Sequence, residues 1–479
     1  VSTYTTSDEP GTAKKGVSAA EEAALIDQFR EMFTFSYEGE EPQRKREEED
    51  LQFQVPELQW TPEAEASRRG GTVNGVTILP RPMLSISKLD QPIRLVMSQA
   101  RAAKLGVNTH PVSENATDDT AQVLRDLYRR IERDSNANEG RLWALDRAVK
   151  AGRGVYRVNV RPDEDGFNFG DLEVGIERIL HQGCVYFDPS AQLPDYSDGD
   201  FAYVTSWVPL SKANRMYKGT RASQASSAGL VWSNMRSEAP LWVRDSGAAK
   251  AIQVAECFWK KHKDELLLVL DNGETVLDGE GQVPNGAKVI SERVRDKVEV
   301  WWAKTDGFDL LDKPRRWLGK YIPLIPVLGR ELQPFDEQRR VIGIIRNARD
   351  PQRFFNTSAS TLMERMSMEP RTPWVMAEGQ DEGREAQWAN ANYLSIPVLK
   401  YKPTTLTDST PAPPPMRAQL DQTGMSIALM ALQEATQLCQ DATAFFDPSL
   451  GKGTASQESG RKVLALQGQG DAANGDWLE

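Results

Sequence analysis

Near one end of the chain, DPSLGKGTASQESGRK at residues 447–462 sets a lysine between two glycines with a hydroxyl beside them. These are the residue types of a loop that cradles a nucleotide phosphate, where backbone N–H groups and one lysine hold the anion. The spacing fails that chemistry. A phosphate loop runs glycine, four residues, then Gly-Lys followed by Ser or Thr. The position five before Gly451 is Phe446, and the residue after Lys452 is Gly453. The preceding DATAFFDPSL does not read as a buried strand either.

Other candidate chemistries fare no better. Carboxylates gather at DEDG (163–166) and DYSDGD (195–200). A helix-loop-helix calcium site needs ligands at alternate positions and a glutamate at the twelfth, and neither stretch has the set. Turn closure by Asp, Ser and Gly is the preferred reading of both. A general acid–base pair would have to converge in space, which a linear pattern does not show. The chain has no nucleophile elbow, no HExxH and no dinucleotide fingerprint. Cys184, Cys257 and Cys439 are far apart, as are His110, His181 and His262. No disulfide framework or zinc spacing follows, and a reducing compartment is the default. Trp301, Trp302 and Trp317, with Arg315 and Arg316, have the makings of a stacking platform for single strands. They lie among short strands and turns, where tryptophan ordinarily fills a core edge, and that reading is preferred. Nothing here argues positively for an enzyme, a cofactor or a metal.

Composition sets the frame for these residues. At 479 residues the chain exceeds one simple core. Its 39% hydrophobic and 27% charged content suits a folded, soluble protein. A formal net charge of -11 argues against a simple nucleic-acid binder, which needs excess Lys and Arg. It is compatible with a passage to which nucleic acid must not stick. The most apolar runs, LLLVL at 266–270 and IPLIPVLG at 322–329, fall far short of the ~20 residues of a membrane span. No secretory leader is read, and the Val1 start suggests a trimmed chain.

The elements that must position any site are partly legible. Residues 1 to about 17 are expected to fray. Ser18 with Glu21 forms a capping box opening a helix with Leu25, Ile26, Phe29, Met32 and Phe33 inward. EGEEPQRKREEED (38–50) reads as a solvated helix or loop. Asp90 caps a helix with Ile93, Val96, Met97 and Ala100 at helical spacing. Thr117–Asp134 is read as a helix with Val123, Leu124, Leu127 and Ile131 inward and Arg125, Arg129, Arg130 and Arg133 on a solvated face. A third helix, about 138–151, ends at Gly152 before the strand GVYRVNV. From 155 to about 330 come short strands: CVYFDP, FAYVTSWV, IQVAECFW, ELLLVL and VEVWWA, with 219–249 as a long loop.

Residues 337–369 carry the clearest pattern. Val341, Ile345, Ala348, Gln352, Phe355, Ala359, Leu362 and Met366 alternate spacings of four and three, a heptad-like seam interrupted by one Gln. Such a helix would run roughly 50 Å and needs neighbours along its length. Pro351 is expected to kink it or to restart it behind Asp350. The proline-rich 370–412, with strand-like TPWVM and IPVLKY, reads as a small extended module. Pro415 then opens a second helix to about 441, with Met416, Leu420, Ile427, Ala431 and Leu438 on one side. Gly424 weakens it by about 1 kcal/mol unless close contact uses the missing side chain.

Five stretches in a fixed order carry a resemblance. They are RPMLSISKLDQPIRLVMSQARAAKLGVNTHPV (81–112), IERDSNANEGRLWALDRAVKAGRGVYRV (131–158) and CVYFDPSAQLPDYSDGDFAYV (184–204), then YIPLIPVLG with IIRNARDPQRFFNTSASTLMERMSMEP (321–370), and TASQESGRKVLALQGQG (454–470). In this order the chain resembles the portal proteins of tailed double-stranded DNA bacteriophages, of the short-tailed type. The resemblance implies an α+β portal-type fold in a homo-oligomeric ring, usually of twelve copies, at one capsid vertex. It places a mixed α/β wing at 1–336, a first stem helix at 337–369, a small β-containing clip at 370–412 and a second stem helix at 413–441. A tunnel loop at 442–455 and the start of a crown-side helix at 456–479 follow, with the rest of the crown expected to be missing. It implies Lys452, Arg461 and Lys462 near a DNA tunnel. Arg346, Arg349 and Arg353 become stem contacts between subunits or to the lumen, set against a solvated helix face. Arg371, Trp374, Tyr401 and Lys402 become candidate clip contacts. Implied partners are double-stranded DNA in transit, the terminase packaging motor, the head-tail adaptor, and major capsid and scaffolding proteins, with no membrane. The implied location is the virion, after assembly in the host cytoplasm. The alternatives are another capsid or baseplate component, or a nuclease or NTPase with an unrecognised site.

Overall fold

The computed structural model describes residues 19–73, 76–78, 80–103, 106–111, 117–162, 172–217, 251–270, 275–277, 289–336, 338–368, 372–393, 396–405, 410–418 and 422–444. It is an α+β chain of long helices and antiparallel sheets, as expected. Two units divide it: residues 1–47 with 100–342, and residues 48–99 with 343–479. The expected 1–336 block is therefore not one unit, because 48–99 folds with the long helices.

In the first unit the short strands join into a larger system. IQVAECFW and ELLLVL are not separate; they lie on one 20-residue strand, Ala251–Leu270. The charged KKHKD between them looks like a break but keeps the strand's alternation. This strand pairs antiparallel with the 17-residue Val289–Thr305, which contains VEVWWA. Leu310–Arg316, Phe201–Pro209 and Val185–Phe187 complete the sheet, and Thr275–Leu277 pairs on the far end of Ala251–Leu270. On one face Phe29 and Phe33 of the helix Ala19–Phe53 meet Tyr186, Tyr203 and Trp259. On the other, Phe258 and Trp302 meet Val155 and Leu324 of a three-stranded sheet formed by Leu324–Leu328, Arg153–Pro162 and Leu172–Arg178. The tryptophans thus fill the core edge. Arg315 lies 4.1 Å over Trp302, and Lys261 4.0 Å over Trp301.

Two expectations about exposure are overturned in this unit. The charge run 38–50 is helical, with Glu38, Glu41 and Glu48 exposed as expected, but Glu40 and Glu47 are buried. Glu40 binds Arg153 through two bonds of 2.6 and 3.2 Å, and Glu47 takes Arg147 at 3.1 Å and Arg153 at 3.2 Å. Arg44 donates to the carbonyl of Val185 at 3.0 Å and sits 3.8 Å over Tyr186. Buried charges survive only when paired and bonded, and the i, i+4, i+7 spacing of Glu40, Arg44 and Glu47 puts all three on one helix face. On the helix Asp118–Asp134, capped by Thr117, Arg129, Arg130 and Arg133 are exposed as expected, but so are Val123, Leu124 and Leu127, at 65%, 52% and 51%, while Ala121 is buried. Its inner side is polar, with Arg141 bonding Glu132 and Tyr128 at 2.6 and 2.5 Å.

The helix Ala137–Ala151 ends as expected at Gly152, whose φ of 103° is left-handed. Gly154, two residues on, has no room for a side chain: a Cβ would lie 1.8 Å from the carbonyl oxygen of Ala144. The turn chemistry of DYSDGD is also realised. Asp195 accepts the Ser197 N–H, and Asp198 those of Gln192 and Leu193. DEDG lies outside the described residues.

In the second unit the first long helix is Ile344–Met368, starting seven residues later than expected. Arg340–Ile342, at the foot of the expected helix, belongs to the first unit and pairs as a strand with Arg330–Leu332. The helix neither stops nor restarts at Pro351, which lies inside it. The second long helix is Gln422–Thr443. Met416 does not open it; Met416–Arg417 is a strand paired with Trp374–Val375, so Pro415 precedes a strand. Within the proline-rich module TPWVM contains that short strand, IPVLKY forms none, and Glu385–Ala389 is helical.

Candidate functional site: the long-helix pair and its proline-rich module

The apolar seam of Ile344–Met368 buries as its spacing requires: Ile345, Ala348, Phe355 and Ala359 are buried. Met366, at its far end, is 59% exposed. Gln352, the interruption, is fully buried and heads a polar stripe with Asn356 and Ser360. These three side chains, four residues apart, receive the backbone of the extended segment 84–88. Lys88 N–H donates to Gln352 Oε1 at 2.8 Å, Ile86 N–H to Asn356 Oδ1 at 3.1 Å and Leu84 N–H to Ser360 Oγ at 2.9 Å. Gln352 Nε2 returns a bond to the Ile86 carbonyl at 2.7 Å, and Asn356 Nδ2 donates to Gln59 Oε1 at 2.7 Å. One helical turn of four residues rises about 6 Å, and two residues of strand about 6.6 Å, so each rung meets the next N–H on that side. A backbone segment that would otherwise bury unpaired amides is thereby satisfied. Sequence reasoning saw Gln352 only as a defect. The signal was present as amide, amide and hydroxyl at i, i+4 and i+8.

Arginines and carboxylates fix the near end of the same helix. Arg346 Nε bonds Asp50 Oδ2 at 3.0 Å, and Arg349 Nη1 bonds Glu49 Oε2 at 2.9 Å. Asp50 is buried, and that burial pushes its carboxyl up to about 6 against the pull of Arg346 and Arg349. Glu49 moves the other way, held below the usual carboxylate range first by the bond from Arg349. Arg346 and Arg349 are thus engaged within their own chain. Arg353 lies 5.3 Å over Phe53 and 3.6 Å from the exposed Asp350.

The two long helices meet through small residues. Phe355 packs on Leu432, Ala435 and Cys439, and Gly424 and Ala428 are also buried. Small side chains such as Ala435 along the seam let the backbones approach. The bulky apolar side of Gln422–Thr443 faces out instead: Ile427, Met430 and Leu438 are 60%, 67% and 39% exposed. Ile427 and Leu438, read as part of one apolar side, are thus both exposed. Leu420 lies outside the described residues.

In the module, Trp374 is half-buried, 5.4 Å edge-on from Trp388, with Arg417 5.0 Å over it. It belongs to the module's own core. Tyr401 is exposed, with Tyr393 and Val398 at 78% and 61%. Lys402 is exposed and pairs with Glu382. Arg371, Lys452, Arg461 and Lys462 lie outside the described residues. No cluster of three or more His, Cys, Asp or Glu is placed to hold a metal among the described residues. Nor is any described helix long and apolar enough to cross a membrane.

The profile of the phage P22-like portal protein family matches residues 30–479, spanning both long helices and the module between them. The chain belongs to that family. Portal proteins of this family are structural proteins of phages. A portal protein of Acyrthosiphon pisum secondary endosymbiont phage 1 is 24% identical over 419 residues. That match covers 84% of this chain and 58% of the relative, so the chain spans little more than half the relative's length. The portal match includes the stretch 447–462, where the glycine-flanked lysine stands.

Proposed function

We propose that this chain forms a ring around a central channel at one capsid vertex, through which double-stranded DNA is packaged and later ejected. The portal-family match over residues 30–479 carries the reading. In it, residues up to 336 form most of the wing, Ile344–Met368 and Gln422–Thr443 the stem, and 370–412 the clip. Residues 442–455 form the tunnel loop and 456–479 begin the crown-side helix. Lys452, Arg461 and Lys462 meet passing phosphates transiently, once per subunit. Arg346 and Arg349 hold the stem to Glu49 and Asp50, leaving Arg353 as the stem arginine for a neighbour or the lumen. The exposed Tyr401, with Arg371 and Lys402, serves the clip's contacts with terminase and the head-tail adaptor.

The physical support is consistent. Outward apolar side chains on Gln422–Thr443 are what a subunit completed by its neighbours would present. A net charge of -11 lets DNA slide where a basic lumen would retain it. The chain needs no catalytic group for this role. Negative-stain microscopy of the purified chain tests it: turbine-like rings with a central hole are expected. Sheets, shells or monomers at all concentrations would overturn it.

A further inference from the structure

The long hairpin of the first unit has an outer half with two unlike faces. Its inner half is flanked on both sides: Phe201 pairs with Trp259, and Arg316 with Trp301. Beyond Lys260 neither flanking strand continues, and the two long strands pair with each other and with Thr275–Leu277. Successive side chains alternate across the sheet, so the register sorts them. One face carries Asp264, Glu292 and Asp296 beside Leu266 and Val294, with His262 at its inner end. The other carries Lys261, Lys263, Arg293, Arg295 and Lys297 against Glu265 and Glu299.

The sorting is unfavourable within one copy. Asp264 stands directly opposite Asp296, and Lys263 directly opposite Lys297; like charges at opposed positions destabilise a sheet. Local partners offset part of this: His262 takes Asp296 at 2.7 Å and Lys263 takes Glu299 at 2.8 Å. Arg293 and Arg295 remain exposed on the basic face, and Asp264 and Glu292 on the acidic one. The acidic face also exposes Val294 at 61%.

We propose that these faces are complementary halves of one contact, the acidic, apolar face of one copy docking on the basic face of a second copy. This rests on the ring reading and names a contact within it. Opposite potentials set orientation and exclude like-to-like stacking, while Val294 and Leu266 supply apolar area. Unlike faces make a heterologous contact, which generates a ring when its rotation closes.

Charge exchange in the full chain tests the contact, read by sedimentation velocity and microscopy. Arg293→Glu with Arg295→Glu, and separately Asp264→Lys with Glu292→Lys, should each raise the concentration needed for assembly at least tenfold. Unchanged far-ultraviolet dichroism would confirm that each variant is folded. Mixing the two variants, or combining all four changes in one chain, should restore assembly. Rings formed by both variants at the wild-type concentration would overturn this contact and leave the ring reading intact. Loss of assembly with no recovery on mixing would overturn it as well. So would an arginine variant that assembles normally and only loses affinity for duplex DNA. A wild-type chain that never forms rings would overturn the ring reading and this contact with it.

Discussion

At Asp50 the burial of a carboxylate outweighs two neighbouring arginines, and its pKa stands at about 6. An unfolded Asp titrates near 3.9. Between these values the folded chain holds a proton that the unfolded chain has released, so this group's contribution to stability falls as pH rises from about 4 to 6. Glu49 works in the opposite sense: its lowered pKa contributes stability above the usual Glu range, lost as pH falls. Urea midpoints measured from pH 4 to 7 should show that Asp50→Asn removes the falling limb and leaves that of Glu49. Parallel curves for the two chains would mean that Asp50 does not titrate in this window. None of this was legible in EGEEPQRKREEED, where Glu49 and Asp50 looked like two more solvated acids. Their arginines lie about 300 residues away in sequence, and no local pattern announces such a partner.

At the scale of elements, two helix ends in the first unit were legible while the starts of both long helices were not. Thr117 acts through its own hydroxyl, which accepts the Thr120 N–H, and Gly152 through its left-handed backbone, and they start and stop a helix where expected. Gly154 shows how tight the following strand is: an alanine there would put a methyl 1.8 Å from the Ala144 carbonyl. Gly154→Ala should lower stability by about 3 kcal/mol, the upper range for overpacking, as a lower urea midpoint with an unchanged slope. An unaltered midpoint would show that helix and strand separate cheaply. The seam of Ile344–Met368 was read correctly, and where a face was missed the reason is physical. Periodicity finds an apolar stripe but does not say what covers it. On Asp118–Asp134 and Gln422–Thr443 the bulky stripe points outward, and small or polar residues turn inward.

For the whole molecule, those outward stripes predict that stability is shared between copies. Assembly that buries Ile427, Met430 and Leu438 stabilises the folded chain by mass action, so the melting temperature should rise with protein concentration. A melting temperature constant over a hundredfold range would argue that these faces stay solvated in the particle. The α+β class and the family were legible from five ordered stretches, while the split of 48–99 from the rest was not, because contacts close it only across long sequence separations. One consequence of the amide ladder on Ile344–Met368 concerns motion. Helix and extended segment form a vernier, slipping by about 0.6 Å per rung. The next rung would pair position 364 with Pro82, which has no N–H to give, and Glu364 instead holds Arg81 at 3.0 Å. Sliding along the helix axis cannot be gradual against such a scale, since small displacements break all three rungs together. The segment 84–88 therefore acts as a detent that fixes the axial setting of the long helix.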